Sequence, residues 1–349
     1  MTSDDQRDQT PVDGPDGPAT RKSASMWSTV DAVNIDAGHV IGPYIIRELL
    51  GEGGFGVVYR AEQTEPVQRQ VAIKIIQPGM GSKAVIARFE QERQTLALLD
   101  HPNVARVLDA GTFLRGVPYF VMDYVDGEPI TTYCDRNTLS IRDRLELFID
   151  VCDAVQHAHQ KGIIHRDLKP SNILVTDAPS GASKPLVKVI DFGVAKALSG
   201  TMATEAVQTE HGQLIGTPEY MSPEQAEMGT IDIDTRSDVY SLGVVLYELL
   251  AGDLPIDSKS LRKAGYARVA QLIRECDPIK PSTRLGQLGE RVEKITQCRQ
   301  TTHHALARDL SRELDWIPLK AIRHERHERY RTASDLADDI RHYLRGEPL

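Results

Sequence analysis

The feature that most constrains this 349-residue chain is a change of hydrophobic period near Gly127. Before it, Tyr44 to Leu50, Gly56 to Ala61 and Gln70 to Ile76 are short runs rich in β-branched and aromatic residues. Turn residues separate them, which is the pattern of an antiparallel meander. Lys83 to Leu99 departs from it: Ala84, Ile86, Phe89, Leu96 and Leu99 fall at roughly helical spacing, and the run stops before His101-Pro102. Two further strand-like runs, Ala105 to Ala110 and Pro118 to Tyr124, complete this part. Beyond Gly127 the pattern predicts helices over Ile141 to Lys161, Ser237 to Ala251, Arg262 to Arg274, Asp309 to Ala321 and Ser334 to Leu344. The chain therefore reads as α+β, a small strand-rich part followed by a larger helical one, with no internal repeat. At roughly 150 residues per domain its length also suggests about two units.

Composition narrows the class. Hydrophobic residues at 40% and charged residues at 26% exclude wholesale disorder and a fibrous architecture. With 41 Lys and Arg against 50 Asp and Glu, the net charge of -9 argues against a protein built to grip nucleic acid. Much of that charge is local. Residues 1–40 hold seven Asp against three basic residues, a net of -4, and show no apolar period, so they read as a disordered acidic tail. Cys134, Cys152, Cys276 and Cys298 form no C-x-x-C pair, which indicates neither a zinc site nor a disulfide framework and suits a reducing compartment. The most apolar run, Tyr240 to Leu250, is broken by Glu248 and is too short to span a bilayer. The N-terminus begins with Thr2, Ser3, Asp4 and Asp5, unlike a secretory signal.

Three motifs carry chemistry. Gly51-Glu52-Gly53-Gly54-Phe55-Gly56-Val57-Val58 fits G-x-G-x-x-G-x-V between two predicted strands, and glycines let the backbone approach phosphate oxygens with its N–H groups. A dinucleotide-binding fingerprint needs a helix after the glycines. Val57 to Arg60 reads as strand instead, so that interpretation loses. Val71-Ala72-Ile73-Lys74 ends a strand with a lysine among apolar neighbours, where an unpaired ammonium is costly, and Glu92 is its candidate partner. His165-Arg166-Asp167-Leu168-Lys169-Pro170-Ser171-Asn172 is followed by Asp191-Phe192-Gly193. The first block holds a carboxylate suited to accept a hydroxyl proton and an amide oxygen five residues on; the second adds a hard oxygen ligand. A lone loop Asp is more often a turn former, but these blocks in this order after a glycine loop reverse that reading.

The ordered set, completed by Met221-Ser222-Pro223-Glu224, resembles the eukaryotic-type (Hanks-type) serine/threonine protein kinases over about residues 41–345. Lys169 and Gly216-Thr217-Pro218 resemble the serine/threonine rather than the tyrosine branch. The run from Gly216 to Gln225 and Leu314-Asp315-Trp316-Ile317 look like bacterial, planctomycete-like members. Ser222 stands where the family often has Ala. The resemblance implies a bilobal fold, with a small antiparallel N-lobe carrying one main helix over 41–126 and a larger, mainly helical C-lobe over 127–345. It implies an enzyme that transfers the γ-phosphate of ATP to Ser and Thr hydroxyls of proteins, with Mg²⁺.

By the same resemblance Lys74 holds the α and β phosphates, Glu92 holds Lys74, and the backbone of Gly51, Glu52, Gly53, Gly54, Phe55 and Gly56 covers the phosphates. Leu50, Val57, Val58, Ala72 and Leu174 surround the nucleotide, Asp123 to Val125 form the hinge, and Met122 is the gatekeeper. Asn172 and Asp191 bind the metal, Asp167 is the base, and Lys169 and Thr217 steady the γ-phosphate and the substrate loop. Glu224 and Arg329 resemble a buried ion pair, and Asp238 the helix residue that holds the catalytic loop. Arg166 before Asp167 implies control by phosphate on the activation segment. Ser199, Thr201, Thr204 and Thr209 are the candidates, Thr209 first, with a homodimer serving phosphorylation in trans.

A pseudokinase scaffold that binds nucleotide without efficient transfer stays open as the alternative; against a small-molecule kinase sharing the ATP lobe speaks the activation segment ending in Ser222-Pro223-Glu224, which by the resemblance makes a peptide platform. The location expected is cytoplasmic, or the cytoplasmic part of an anchored kinase if the chain is a fragment. Residues 257–311 carry no motif.

Overall fold

The computed structural model describes residues 35–53, 56–76, 96, 98–113, 116–178, 184–192, 217–227, 233–258, 261, 266–275 and 277–349. Packing begins ahead of residue 41. Ile35 is buried, Gly38 N–H donates to the Ile46 carbonyl, and Val40–Ile41 (β1) pairs with Tyr44–Gly53 (β2). Gly56–Gln63 (β3) and Arg69–Ile76 (β4) continue the antiparallel meander at nearly the expected bounds. The last two strands, Val107–Phe113 (β5) and Val117–Asp123 (β6), depart from simple succession, because the sheet order is β1-β2-β3-β4-β6-β5. Burial explains the exchange. Five of the seven residues of β6 are buried, as a central strand requires, whereas β5 is largely half-exposed and takes the edge. Of the helix expected over Lys83 to Leu99, Leu96 is helical and buried, and Leu99 is buried after it; most of that segment lies outside the described residues.

A second, three-stranded sheet follows. Glu128–Pro129 (β7) pairs with Ile173–Thr176 (β8), which pairs with Leu186–Val189 (β9). Between its strands come Ile130–Arg136 (α1) and Ile141–Gln160 (α2). Ser140 and Asp143 form a capping box at the start of α2, satisfying N–H groups that the helix itself leaves unpaired. Its buried face, which includes Leu145, Phe148, Val151 and Val155, joins the main core.

Pro223–Ala226 (α3) precedes Thr235–Ala251 (α4). Of the 17 residues of α4, 14 are buried, so it runs through the core instead of along the surface and shows no polar face. It stops at Gly252, whose φ of +71° closes the helix in the left-handed region.

The stretch 257–311 folds into Tyr266–Glu275 (α5), Pro281–Gly286 (α6), Arg291–Gln297 (α7) and His303–Asp309 (α8). The continuous helix expected over Asp309 to Ala321 is interrupted. A π-helical turn at Leu310–Leu314 precedes Asp315–Ala321 (α9), with Arg312 outside helical φ/ψ. Pro318 supplies the reason, since in a continuous helix it lacks a donor for, and clashes with, the carbonyl four residues back at Leu314. Ala333–Arg345 (α10) ends the fold and packs on α2, where Arg341 forms two 2.8 Å bonds to Asp153. Among the described residues, no helix is long and apolar enough to cross a membrane.

Candidate active site

The glycine loop joins β2 to β3, and Gly54 and Phe55 at its tip lie outside the described residues. The three described glycines differ in their reasons for being glycine. A Cβ on Gly56, at φ +149°, would meet the Ile75 carbonyl oxygen at 2.0 Å, so the strand pairing itself forbids a side chain. Gly51 has nothing within 4 Å of that position, and Gly53 only the Gly56 oxygen at 4.0 Å. Those two face open space.

Strand alternation then sorts the neighbours. Val58, Ala72 and Lys74 line a cleft of about 460 Å³. Val57, expected among them, is on the other face of β3 and does not line it. Leu50, Gly51, Glu52, Gly53, Gly56, Met122, Asp123, Val125 and Leu174 complete the expected nucleotide wall. The Asp123 carboxylate turns away to Arg106, accepting from its backbone N–H and its Nε at 3.1 Å.

The opposite side of the cleft is the loop after α2. His165 and Arg166 each donate a backbone N–H to Asp238 at 2.8 Å, and His159 Nε2 donates to the same carboxylate at 2.8 Å. Asp238 is fully buried in α4. Burial alone would raise its carboxyl, but the bond from His159 and the donors of the loop hold it below the usual range. His165 Nε2 meets the Ile190 carbonyl at 2.9 Å, so Nε2 carries the proton and Nδ1 accepts from Asp167 N–H at 3.3 Å. Its ring packs on Phe192, with centroids 4.7 Å apart.

The chemistry-bearing side chains converge here. Lys169 Nζ lies 2.8 Å from Asp167 Oδ2 and 3.4 Å from Thr217 Oγ1. Asn172 Nδ2 donates to the Asp167 carbonyl at 2.7 Å and to its Oδ2 at 3.1 Å, which turns the Asn172 oxygen away from Asp167. Lys74 Nζ pairs with Asp191 Oδ2 at 2.8 Å. Asp191 has φ +65°, a left-handed conformation that an Asp tolerates better than most side chains. Glu92, the partner expected for Lys74, lies outside the described residues. So do Ser199, Thr201, Thr204 and Thr209.

Several lining residues went unassigned in the sequence. Ser171 and Ile190 sit inside or beside the motifs, whereas Asp126 and Gly127 carry no local signal; Tyr124 lines the cleft as part of the expected hinge. Setting aside Asp123, whose carboxylate faces Arg106, the lining residues include the acids Glu52, Asp126, Asp167 and Asp191 against the lysines Lys74 and Lys169. A polyphosphate enters such a cleft only with cations, and the Asp191 carboxylate and Asn172 amide oxygen are the hard donors a magnesium ion takes. A larger cleft of about 990 Å³ beside Trp316 and Tyr240 contains no residue of the glycine loop, the Lys74 strand, the Asp167 block or the Asp191 block.

Two expected anchors flank the site. Arg329 forms a bidentate pair with Glu224 at 2.8 and 2.9 Å, and both side chains are almost fully buried. Ser237 Oγ adds a 2.6 Å bond to the same carboxylate.

Comparisons with known proteins agree with this geometry. The family profile described as the protein kinase domain matches residues 44–331. The serine/threonine-protein kinase PknB of Mycobacterium tuberculosis is 35% identical over 317 residues, covering 89% of this chain and 44% of that protein. The probable serine/threonine-protein kinase PknB of Bifidobacterium longum is 33% identical over 315 residues, 87% of this chain and 40% of that one. The chain thus spans less than half the length of these relatives. Among solved structures, the kinase domain of Mycobacterium tuberculosis PknI superposes with a TM-score of 0.61 at 24% identity, covering 89% of this chain and 99% of that one. That likeness concerns the fold.

Proposed function

Because this chain belongs to the protein kinase family, we propose that it transfers the γ-phosphate of ATP to serine and threonine hydroxyls of proteins. The observation that carries the reading is the gathering of Lys74, Asp167, Lys169, Asn172 and Asp191 around one cleft whose other wall is glycine-rich and apolar. A pseudokinase lacks the lysine, the base or the metal-binding carboxylate, and here all are present.

The residues divide the work. Phosphoryl transfer through a loose transition state needs positioning and charge stabilisation more than covalent chemistry. Leu50, Val58, Ala72, Met122 and Leu174 enclose the adenine. Lys74, held in the cleft by Asp191, has further donors to give the α and β phosphates. Gly51 and Gly53 let backbone approach the phosphates. Asp167 orients the substrate hydroxyl. As its oxygen bonds to the γ-phosphorus and the bridging oxygen leaves with ADP, the hydroxyl proton passes to the Asp167 carboxylate. Lys169 and Asn172 keep that carboxylate in place, and Thr217 ties Lys169 to the substrate side. Asn172 and Asp191 would hold Mg²⁺, which when bound would neutralise charge developing on the phosphates.

The test is radiolabelled ATP with Mg²⁺ and a generic protein substrate, wild type beside Asp167→Asn, followed by analysis of which hydroxyl is labelled. Label on Ser and Thr in the wild type, reduced about 10²- to 10⁴-fold in the variant, is expected. Equal incorporation removes Asp167 as the base, and none in either protein favours the scaffold. Regulation follows the same reading: phosphate on Thr209, placed by a second copy of the chain, pairs with Arg166 and orders the segment. Active protein without phosphate between Asp191 and Glu224, by mass spectrometry, would exclude it. The reaction belongs in the cytoplasm, by a free kinase or by the cytoplasmic part of an anchored one.

A further inference from the structure

Arg166 has φ +69°, a left-handed backbone that an L-residue keeps only when its surroundings hold it. Asp238 holds the side before it by accepting the N–H groups of His165 and Arg166. The side after it is held by another residue. Gln225 Nε2 donates to the Arg166 carbonyl at 2.6 Å, and that carbonyl belongs to the peptide unit that leads into Asp167. The Gln225 amide is itself oriented, because its Oε1 accepts from Ser222 N–H at 3.1 Å and from Ser222 Oγ at 3.0 Å. Turned over, it would set oxygen against the Arg166 carbonyl and N–H against the Ser222 N–H, so only one orientation satisfies all the groups. Ser222 is completely buried and supplies a second donor where an alanine would supply one.

Resting on the kinase reading above, we propose that Gln225 is a positioning residue for Asp167, and that Ser222 sets the amide which does the positioning. Through it the peptide before the base is tied to α3, the helix that Glu224 and Arg329 lock to the C-lobe. The docking of α3 therefore adds to the hold that Asp238, Lys169 and Asn172 already have on the loop around Asp167.

The discriminating variant is Gln225→Glu. Its carboxylate still accepts from Ser222 but sets a second acceptor against the Arg166 carbonyl; once protonated, its hydroxyl donates there as the amide did. At pH 8 kcat is expected to fall about tenfold or more, the loss of roughly one hydrogen bond, while KM for ATP changes less than about twofold. The ratio of variant to wild-type kcat is expected to climb back as the pH is lowered toward the glutamate range, the recovery beginning above that range because the group faces a carbonyl in a half-buried site. Amide exchange over 163–169, compared with wild type at each pH, is expected to be faster at pH 8 and to converge at low pH. A role confined to capping α3 lowers the melting temperature but leaves the kcat ratio flat with pH, and that result overturns the proposal. If Gln225→Glu does not fold, Ser222→Ala carries the test: a several-fold loss of kcat with faster exchange over 163–169 supports it, and neither change overturns it. No transfer by the wild type, with the pH-dependent exchange intact, defeats the kinase reading and leaves the positioning standing. Transfer by the wild type with unchanged exchange does the reverse.

Discussion

Glycine in the loop between β2 and β3 has two distinct physical causes. Gly56 is required by the close approach of β4, since any Cβ meets the Ile75 carbonyl, whereas Gly51 and Gly53 leave room that a ligand can use. Gly56→Ala is therefore expected to destabilise the protein by about 3 kcal/mol, at the upper end of overpacking, visible as a fall in melting temperature. Gly51→Ala and Gly53→Ala are expected to stay within about 0.5 kcal/mol of wild type and to raise KM for ATP instead. A common stability loss for all three would contradict this division. Motif order in the sequence identified the residues that meet in the cleft, because spacing within a motif is a local property. It did not identify what each one touches. Asp191, the observed partner of Lys74, is 117 residues away, and Val57, beside Val58 in the motif, lies on the opposite face of β3 from the cleft.

Elements follow the same pattern. The long helices α2, α4 and α10 are legible from the hydrophobic pattern. The four-residue strands β8 and β9 were not, being too short to show a period. The π-helical turn before α9 escaped as well, although Pro318 was in plain view. The stretch 257–311, which carried no motif, returns Arg299 to the end of α4. There its guanidinium donates to the Leu249, Leu250 and Ile295 carbonyls, and burial pushes it down to about 10. The fit of α4 against α9 is equally tight. A Cβ on Gly243 would lie 2.6 Å from Ala321 Cβ, which the backbone fixes, and 2.7 Å from Ile322 Cγ2. Alanine gains up to about 1 kcal/mol of helix propensity over glycine, but the clash costs about 1 to 3 kcal/mol and is expected to win. Gly243→Ala should thus lower the urea midpoint, and a raised one would mean that α9 moves aside freely.

At the scale of the whole molecule, stability and activity share the same anchors. Glu224 and Arg329, 105 residues apart, lock the end of the activation segment to the C-lobe. Arg329→Met leaves a buried carboxylate and is expected to cost about 3 to 5 kcal/mol, while Glu224→Leu with Arg329→Met recovers much of it, as urea titration would reveal. An additive double variant would show that the two side chains act separately. The pH dependence has a defined sign. Burial would raise Glu224, but the bonds from Arg329 and Ser237 bring it below the ordinary glutamate range, and Asp238 is likewise held low. Folded values below unfolded ones give stability that is complete above the ordinary carboxylate range and lost as pH falls below it. The urea midpoint is expected to decline below about pH 4, less steeply in the Glu224→Leu, Arg329→Met double variant; equal slopes would remove this pair as the cause. By itself the sequence determined the α+β class, the order of the motifs and which residue types they carry, because hydrophobic period and motif spacing are written along the chain. Only the tertiary structure decided that β6 lies beside β4, that Lys74 meets Asp191, and that Gln225 reaches Arg166. Those are contacts between segments far apart in the chain, set by which faces need burial and which buried polar groups need partners.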